Sequence, residues 1–305
     1  MVTTGAHPTR RAVLALGAGT ALAGVVSTGG AAHAATPRPG GISGRLRELE
    51  QEHSARLGVF AHDTGTGRTV LYRADERFPM CSVFKTLAVA AVLRDLDHNG
   101  EFLAKRVRYT AEYVKASGWD RITGEEENVA NGMTVEELCD AAIRFSDNGA
   151  ANLLLDELHG PETVTRFCRS VGDRTTRLDR REPELNSAEP WRETDVTSPR
   201  AIGGTYERLV LGDVLDRRDR ARLTGWLRGN TTGTDLLRKG LPADWTVGDK
   251  TGAGSYGTRN DVGIAWPPGR APIVLAVLTT KREQDAKTDD PLVAKAAELV
   301  ATALS

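Results

Sequence analysis

The sequence predicts an α+β protein, in which an α/β domain built on an antiparallel sheet packs beside an all-helical domain, with a cleft between them. Three observations support this fold class. Strand patterns lie near both ends of the chain, helical patterns fill the middle, and the strands at each end are consecutive and closely connected, which favours antiparallel pairing. The 305 residues are 40% hydrophobic and 27% charged, which is enough apolar material for a sizeable core.

The first 34 residues are predicted to be a signal peptide rather than part of the fold. Arg10 and Arg11 precede a short Ala/Gly/Leu/Val run that ends at the small-residue site Ala32-His33-Ala34, so cleavage is expected after Ala34. Paired arginines favour the Tat route, which exports folded proteins. A transmembrane anchor is the alternative, but the run is short and rich in glycine. We therefore expect a protein that is exported by the Tat pathway and is secreted or periplasmic.

Charge and cysteine content exclude several classes of protein. Removal of the two arginines changes the formal net charge from -1 to -3, and no Lys/Arg-rich block follows, so no nucleic-acid partner is expected. No second long apolar segment follows either, so we expect no membrane partner once the signal is cleaved. Cys81, Cys139 and Cys168 allow one disulfide at most, and the histidines lack the spacing of paired zinc ligands. No metal or other cofactor is expected.

The N-terminal part of the α/β domain is predicted over residues 35–78. After the linker Pro37–Gly41, residues 42–57 have a helical pattern in which leucines alternate with charged positions. The segments LGVFAH and RTVLY then flank the glycine-rich turn DTGTG, which predicts a hairpin of two strands.

Residues 79–228 are predicted to form the all-helical domain. A long apolar helix pattern runs from Phe84 to about Leu96, and Thr134 and Glu137 form a capping box at the start of a helix that continues to Phe145. Further helical patterns occupy the segments GAANLLLDEL, PETVTRFCRSV, Ala201–Leu215 and Arg218–Leu227.

Residues 229–305 are predicted to complete the α/β domain. Strand patterns return in the segments DWTVGDKTG, NDVGIAW and PIVLAVLTT, and a last helix spans Pro291–Leu304. The simplest packing joins these strands to the N-terminal hairpin in a single sheet.

Ser82 and Lys85 stand three residues apart in the stretch PMCSVFKTL, at the start of the long apolar helix pattern. On a helix they share a face, and a serine at a helix N-terminus has free backbone N–H groups and the positive end of the helix dipole beside it. A buried lysine can lose its proton and act as a base. The alternative is an ordinary N-cap serine, and this motif alone favours that simpler interpretation.

Two further motifs have the same ambiguity when each is taken alone. The segment Ser146–Asn148 lies between two helix patterns, where a helix N-cap is the alternative interpretation. Lys250, Thr251 and Gly252 end a strand pattern, where a cationic side chain suits a carboxylate ligand, and a solvated edge lysine is the alternative. The glycines here also fit G-x-G-x-x-G, but a strand pattern follows where the dinucleotide motif requires a helix.

The order of these motifs carries a family resemblance. Ser-x-x-Lys is followed after 64 residues by Ser-Asp-Asn, and after 104 more by Lys-Thr-Gly. This order resembles the penicillin-recognising serine enzymes, which have a β-lactamase/transpeptidase-like fold with the active site in the cleft between two domains. The segment TRLDRREPELN, which begins a predicted omega loop over about 176–195, resembles that of the class A β-lactamases. The resemblance implies a cis Glu182–Pro183 bond and an ion pair between Arg180 and Asp195.

The resemblance also implies that the protein hydrolyses the β-lactam amide of penicillin-type antibiotics and so confers resistance. Ser82 would attack the lactam carbonyl and form an acyl-enzyme, with either neutral Lys85 or Glu182 acting through water as the base. Glu182 and Asn186 would then hold and activate the water that releases the acyl group. The other implied roles are an oxyanion hole from the N–H groups of Ser82 and Ala253, a proton relay by Ser146 aided by Lys250, and substrate binding by Asn148, Lys250, Thr251, Gly252, Ala253 and Arg259.

The chain departs from family patterns at its cysteines and at the predicted cleft mouth. The position where Cys139 would find a disulfide partner is Val89, and the corresponding position for Cys81 is Gly254, so neither disulfide is expected. The segment EYVKASGWDRITGEEENV is longer than the family segment that supplies an aromatic wall, and Trp119 is the candidate for that wall. The preferred class of β-lactam therefore stays open.

The prediction of a β-lactamase has three alternatives, and a non-catalytic structural protein is the weakest of them because every motif side chain is intact. A cell-wall D-Ala-D-Ala peptidase or transpeptidase lacks a dedicated deacylating carboxylate, so Glu182 and Asn186 argue against it. A β-lactam sensor that is acylated and stops usually carries a membrane segment, and none is expected in the mature chain. The sequence thus predicts a class A serine β-lactamase that acts on small β-lactam molecules as a monomer.

Overall fold

Five strands from both ends of the chain form one antiparallel sheet in the computed structural model, which describes residues 40–305. Their spatial order is β2-β1-β5-β4-β3. The two ends of the chain therefore share one sheet, as the sequence predicts, and the N-terminal hairpin pairs with the last strand. The predicted signal peptide, residues 1–34, lies outside the described residues. The strands are β1 (Arg56–Asp63), β2 (Thr69–Tyr72), β3 (Thr246–Gly254), β4 (Thr258–Trp266) and β5 (Ile273–Thr280).

Helices are the main elements of the chain between β2 and β3, which confirms the predicted α+β class. Two pairs of two-residue strands, Phe78–Pro79 with Val196–Thr197 and Arg106–Val107 with Met133–Thr134, connect parts of this helical region. The helices are α1 (Ile42–Glu52), α2 (Phe84–Ala91), α3 (Glu101–Ala104), α4 (Ala111–Lys115), α5 (Glu126–Asn131), α6 (Val135–Arg144), α7 (Asn148–Glu157), α8 (Pro161–Ser170), α9 (Pro199–Val210), α10 (Arg217–Arg228), α11 (Leu237–Gly240) and α12 (Asp290–Leu304).

The predicted helix over residues 42–57 is too long at its C-terminal end. Helix α1 stops at Glu52, Ser54 adopts a positive φ of 46°, and the chain enters β1 at Arg56. Leu57 is therefore buried in the sheet rather than on the helix. The prediction was wrong because Leu57 continues the apolar spacing of the helix although it lies beyond the helix end. In the structure Leu57 belongs to the alternating pattern of β1.

Other predicted elements differ from the structure mainly at their ends. Helix α9 begins at Pro199 because the Ser198 hydroxyl accepts a hydrogen bond from the N–H of Ala201, which caps the helix, and it ends at Val210 rather than at Leu215. The capping box of Thr134 and Glu137 is present, with both reciprocal hydrogen bonds.

The sheet separates two apolar cores, and β5 contributes to both. Val274, Ala276 and Leu278 face the helical region, where they pack against α9 and belong to the same core as apolar residues of α2, α6 and α7. The alternate residues of β5 face the layer formed by α1, α11 and α12. This alternation explains why all eight residues of β5 are buried. In the described part of the chain, no helix is both long and apolar enough to span a bilayer.

Candidate active site

Ser82 lies in a 3-10 turn, Cys81–Val83, that leads directly into α2. Its hydroxyl donates a hydrogen bond of 3.1 Å to Oε1 of Glu182. Strand β3 passes so close that a Cβ at position 252 would lie 3.0 Å from the carbonyl oxygen of Met80 and 3.3 Å from the nitrogen of Ser82. Glycine at position 252 therefore lets the edge of the sheet approach the backbone beside the serine.

Lys85 lies one helical turn after Ser82, and its side chain is fully buried. Its amine donates hydrogen bonds of 2.7 Å to the carbonyl oxygen of Ser146 and 2.6 Å to Oδ1 of Asn148, and it lies 3.1 Å from Oε1 of Glu182. Burial lowers the pKa of the Lys85 amine, and the nearby Glu182 carboxylate opposes that shift without cancelling it. The amine is thus held between a carboxylate and the Ser146–Asn148 segment.

A second buried lysine reaches the same segment from β3. The Lys250 amine donates hydrogen bonds of 2.9 Å to the Ser146 hydroxyl and 2.9 Å to the carbonyl oxygen of Thr251. Burial, followed by the positive charge of Lys85, holds the pKa of Lys250 well below its ordinary value. Ser146 itself adopts a positive φ of 56°, which turns the chain between α6 and α7 and presents the hydroxyl to both amines.

Glu182 is fixed by two asparagines from different elements. The Asn186 amide donates a hydrogen bond to Oε2 of Glu182, while the Asn152 side chain accepts from the N–H of Glu182 at 3.1 Å and donates to its carbonyl oxygen at 2.8 Å. The Glu182–Pro183 bond is cis, as the family resemblance implies. Oδ1 of Asn186 is buried without a partner among residues 40–305, so one acceptor beside the carboxylate is available.

The segment that carries Glu182 is closed by an ion pair, which confirms the expected contact of Arg180 with Asp195. Nε of Arg180 lies 2.6 Å from Oδ2 of Asp195. The other oxygen of this buried carboxylate accepts hydrogen bonds from the N–H groups of Asp179 and Arg180, at 2.8 and 2.9 Å. One carboxylate therefore holds the two ends of the loop together.

The C-terminal end of β3 places the remaining predicted residues along one side of the site. Lys250 to Gly252 are buried and Ala253 is exposed, while the hydroxyl of Thr251 lies 2.6 Å from that of Thr232. Arg259, on β4, is paired across the strands with Ala253, and its guanidinium lies 2.7 Å from Oδ1 of Asp290.

Gly254 faces Cys81, which agrees with the family resemblance, because position 254 is where a disulfide partner of Cys81 would lie. A Cβ at position 254 would lie 2.8 Å from the Cys81 sulfur. Cys81, Cys139 and Cys168 are all buried free thiols.

Trp119 lies next to the Ser146–Asn148 segment. Its indole N–H donates to the carbonyl oxygen of Phe145 at 3.2 Å, and its own carbonyl oxygen accepts from the N–H of Asn148 at 2.7 Å. Half of Trp119 is exposed to solvent, at 50%. The long segment that carries it is held by buried Asp147, whose carboxylate accepts from the N–H groups of residues 122 and 123.

The comparisons with known proteins agree with this geometry. The model of the β-lactamase enzyme family matches residues 42–304. A β-lactamase of Streptomyces lavendulae is 68% identical over 304 residues, which cover 100% of each chain. The chain belongs to the class A serine β-lactamases. This β-lactamase hydrolyses β-lactams and thereby confers resistance to β-lactam antibiotics.

Other relatives and two solved structures support the same assignment. A β-lactamase of Streptomyces fradiae is 65% identical over 302 residues and 99% of each chain. The structure of the β-lactamase from Streptomyces albus G covers 87% of this β-lactamase and 99% of its own chain, with a TM-score of 0.86 and 66% identity. A β-lactamase structure from Desulfarculus baarsii gives a TM-score of 0.83 at 46% identity, covering 87% of this chain and 97% of that one.

Three residues of this β-lactamase site were not among the sequence predictions. Asn152 holds Glu182, Thr232 contacts Thr251, and Asp290 binds Arg259. Only Asn152 had a usable signal, because it follows Asn148 by four residues and so shares its face of α7. The described residues contain no group of three or more His, Cys, Asp or Glu side chains arranged to hold a metal ion.

Proposed function

We propose that Ser82 is the nucleophile of this β-lactamase and that Glu182 serves both half-reactions. The observation that carries this proposal is the contact of one buried carboxylate with the Ser82 hydroxyl, the Lys85 amine and the Asn186 amide. A new bond forms between Oγ of Ser82 and the lactam carbonyl carbon, and the lactam C–N bond breaks as the tetrahedral intermediate collapses.

The hydrogen-bond geometry supports Glu182 as the group that receives the serine proton. The Ser82 hydroxyl donates to Glu182, while the Lys85 amine donates to Ser146, Asn148 and the same carboxylate. Lys85 then stabilises the charges that arise around the serine. Each positioned proton-transfer group of this kind contributes roughly 10²–10⁴-fold to a rate.

The leaving nitrogen needs a proton when the lactam ring opens. In this proposal the Ser146 hydroxyl supplies it, which is supported by the hydrogen bond that the hydroxyl accepts from Lys250 and by its distance of 3.4 Å from the Lys85 amine. Lys250 returns a proton to Ser146 and, with Thr251 and Arg259, attracts the substrate carboxylate. Asn148 binds the side-chain amide of the substrate, and Trp119 forms an aromatic wall beside it.

The oxyanion hole is assigned to the N–H groups of Ser82 and Ala253. The close approach of β3 to the Ser82 turn at Gly252 supports this assignment, because it brings the two backbone segments together. Loss of one such donor typically costs about 2.7–4 kcal/mol of transition-state stabilisation.

Deacylation separates a hydrolase from a protein that is acylated and stops. After acylation, Glu182 passes the proton it took from Ser82 through Lys85 and Ser146 to Lys250, so that both groups regain their starting charge. Glu182 then removes a proton from a water molecule, whose oxygen attacks the acyl carbon, and the proton goes to Oγ of Ser82 as the acyl bond breaks. The available Oδ1 of Asn186 supports a water position beside the carboxylate. A cell-wall peptidase lacks a dedicated deacylating carboxylate, so the pair Glu182 and Asn186 favours a hydrolase over that function.

The Glu182→Ala variant tests this assignment. We expect it to retain some acylation and to accumulate a penicilloyl adduct after mixing with benzylpenicillin, as measured by intact-mass spectrometry. The matched control is Glu184→Ala, because Glu184 is an exposed carboxylate in the same loop and should be dispensable. Rapid turnover by Glu182→Ala without an adduct would contradict the assignment.

We also propose that this β-lactamase is exported by the Tat pathway, is secreted or periplasmic, and acts as a monomer on small β-lactams without a nucleic-acid partner. The pair Arg10 and Arg11 before an apolar run and a small-residue cleavage site supports the route. Replacing both arginines by lysine should retain the uncleaved protein inside the cell, and normal export of that variant would exclude the Tat route. Size-exclusion chromatography tests the monomer, and kinetics with penicillin, cephalosporin and carbapenem substrates determine the preferred class.

A further inference from the structure

A second groove lies on the side of the molecule formed by the end of α1, the start of β1 and the end of β5. Its volume is about 670 Å³. Residues from the loop that carries Glu182, namely Pro190 and Trp191, form one wall of the groove, and none of the predicted catalytic or substrate-binding residues lines it. We call it the Trp191 groove.

Trp191 gives this groove an unusual exposed aromatic surface. The residue is 70% exposed, the largest value among the exposed large hydrophobic residues of the described chain. Its ring meets Tyr256 edge to face, with centroids 5.3 Å apart and an interplanar angle of 84°. This contact restrains the indole while leaving much of it in solvent. An indole presented in this way can stack on a flat ring of a ligand.

Four cationic side chains line the groove, and one of them has no acidic partner. Arg56, Arg73 and Lys281 make ion pairs with Glu76, Glu50 and Asp289, respectively, at 2.8–3.0 Å. Arg282 is exposed, and no carboxylate among residues 40–305 lies within 4.0 Å of its guanidinium.

The acidic residue that lines the groove does not supply a free negative charge to it. Glu50 accepts hydrogen bonds from Arg73, from the Tyr72 hydroxyl and from the N–H of Leu57. Its two oxygens are therefore occupied by donors, and the unpaired charge that remains among the lining residues is that of the Arg282 guanidinium.

We propose that the Trp191 groove binds a small carboxylate attached to a flat or saturated ring, such as an aryl carboxylate or a sugar acid. The ring stacks against Trp191, and the carboxylate pairs with Arg282, whose forked donors match its two oxygens. Trp and Arg are also among the residues enriched in the hot spots of protein–protein interfaces. This site is separate from the β-lactam site and does not depend on the proposed catalytic roles.

The indole N–H signals of ¹⁵N-labelled protein provide a direct test. The five tryptophans give five such signals, and Trp191→Phe and Trp119→Phe identify the two that matter. Ligand in the Trp191 groove should shift the Trp191 signal, whereas ligand in the catalytic cleft should shift the Trp119 signal. The probes are 2-naphthoate, glucuronate and uncharged 2-naphthalenemethanol, titrated into the full-length folded protein.

We expect at least one of the two carboxylates to shift the Trp191 signal saturably, with a Kd of about 1 mM. Arg282→Gln should weaken that binding about tenfold or more. The native protein should bind uncharged 2-naphthalenemethanol as weakly as Arg282→Gln binds 2-naphthoate. The matched control is Arg217→Gln, which removes an exposed arginine on α10 outside the groove and should leave the affinity unchanged.

The relative affinities of 2-naphthoate and glucuronate identify which ring chemistry the groove prefers. The proposal is overturned if neither carboxylate shifts the Trp191 signal, if only the Trp119 signal responds, or if Arg282→Gln and Arg217→Gln have the same affinity. Because these readouts do not involve hydrolysis, their failure would leave the assignment of Ser82 and Glu182 untouched.

Discussion

Replacing Asp195 by alanine should destabilise the loop that carries Glu182 without unfolding the rest of the protein. The Asp195 carboxylate is buried and accepts hydrogen bonds from the N–H groups of Asp179 and Arg180 and from the Arg180 guanidinium. Alanine removes all three contacts at once. Most apolar residues of the two cores lie outside this loop, so the damage should be confined to it.

The size of the effect follows from the burial of each partner. Two backbone N–H groups lose their acceptor, at a cost of about 1–3 kcal/mol for each one that stays buried. The Arg180 side chain is 26% exposed, so water replaces part of its lost ion pair. We therefore expect the loop to be destabilised by about 3 kcal/mol, which corresponds to a roughly 150-fold larger population of the locally open loop.

Hydrogen exchange measured by mass spectrometry would detect this opening in peptides that cover residues 177–195. The control is Asp75→Ala, which breaks an ion pair with Arg200 on the surface, where Asp75 is 72% exposed. This control should change stability by no more than about 0.5 kcal/mol. If the Asp195→Ala loop stays as protected as that of the control, the carboxylate does not hold the loop and the reasoning fails.

Two further predictions concern stability and thiol chemistry. Burial raises the pKa of Glu50, but hydrogen bonds from Arg73, Tyr72 and Leu57 outweigh it and hold the pKa below its ordinary value. The stabilisation by Glu50 is therefore present above the ordinary carboxyl pKa and is lost as the pH falls through the lowered value. Glu50→Gln should thus lower the unfolding free energy by about 2 kcal/mol at pH 7, and urea unfolding should show this difference shrinking as the pH falls through the lowered pKa; a constant difference would contradict this. Burial also raises the pKa of all three cysteine thiols, so Ellman's reagent should react with none in the native protein and with three in guanidinium; reaction of any thiol in the native protein would contradict this.

Local spacing in the sequence was sufficient to predict the main elements of the fold. The capping box at Thr134 and the apolar pattern after Phe84 depend on residues that lie close together along the chain. The end of α1 was wrong because Leu57 fits a helical spacing and a strand spacing equally well. Only the pairing of β1 with β5, which the spacing does not reveal, decides between them.

The candidate site shows the same division between local and long-range information. The order and spacing of the motifs were sufficient to predict Ser82, Lys85, Glu182 and Lys250, because the family resemblance depends on positions along the chain. The partners of these motifs were harder to find. Asp290 lies 31 residues after Arg259, at the start of α12, and only folding brings their charges together. Thr232 precedes Thr251 by 19 residues and has no motif of its own.

The pairing of the first strand with the last has a consequence for the synthesis of the enzyme. Arg56 in β1 lies opposite Thr280 in β5, so the central ladder of the sheet cannot close until nearly the whole polypeptide has left the ribosome. Contacts so distant along the chain slow folding, since the intervening segment must be confined before they form. A nascent chain that already contains the reactive serine would thus be inert toward antibiotics until its final strand arrives.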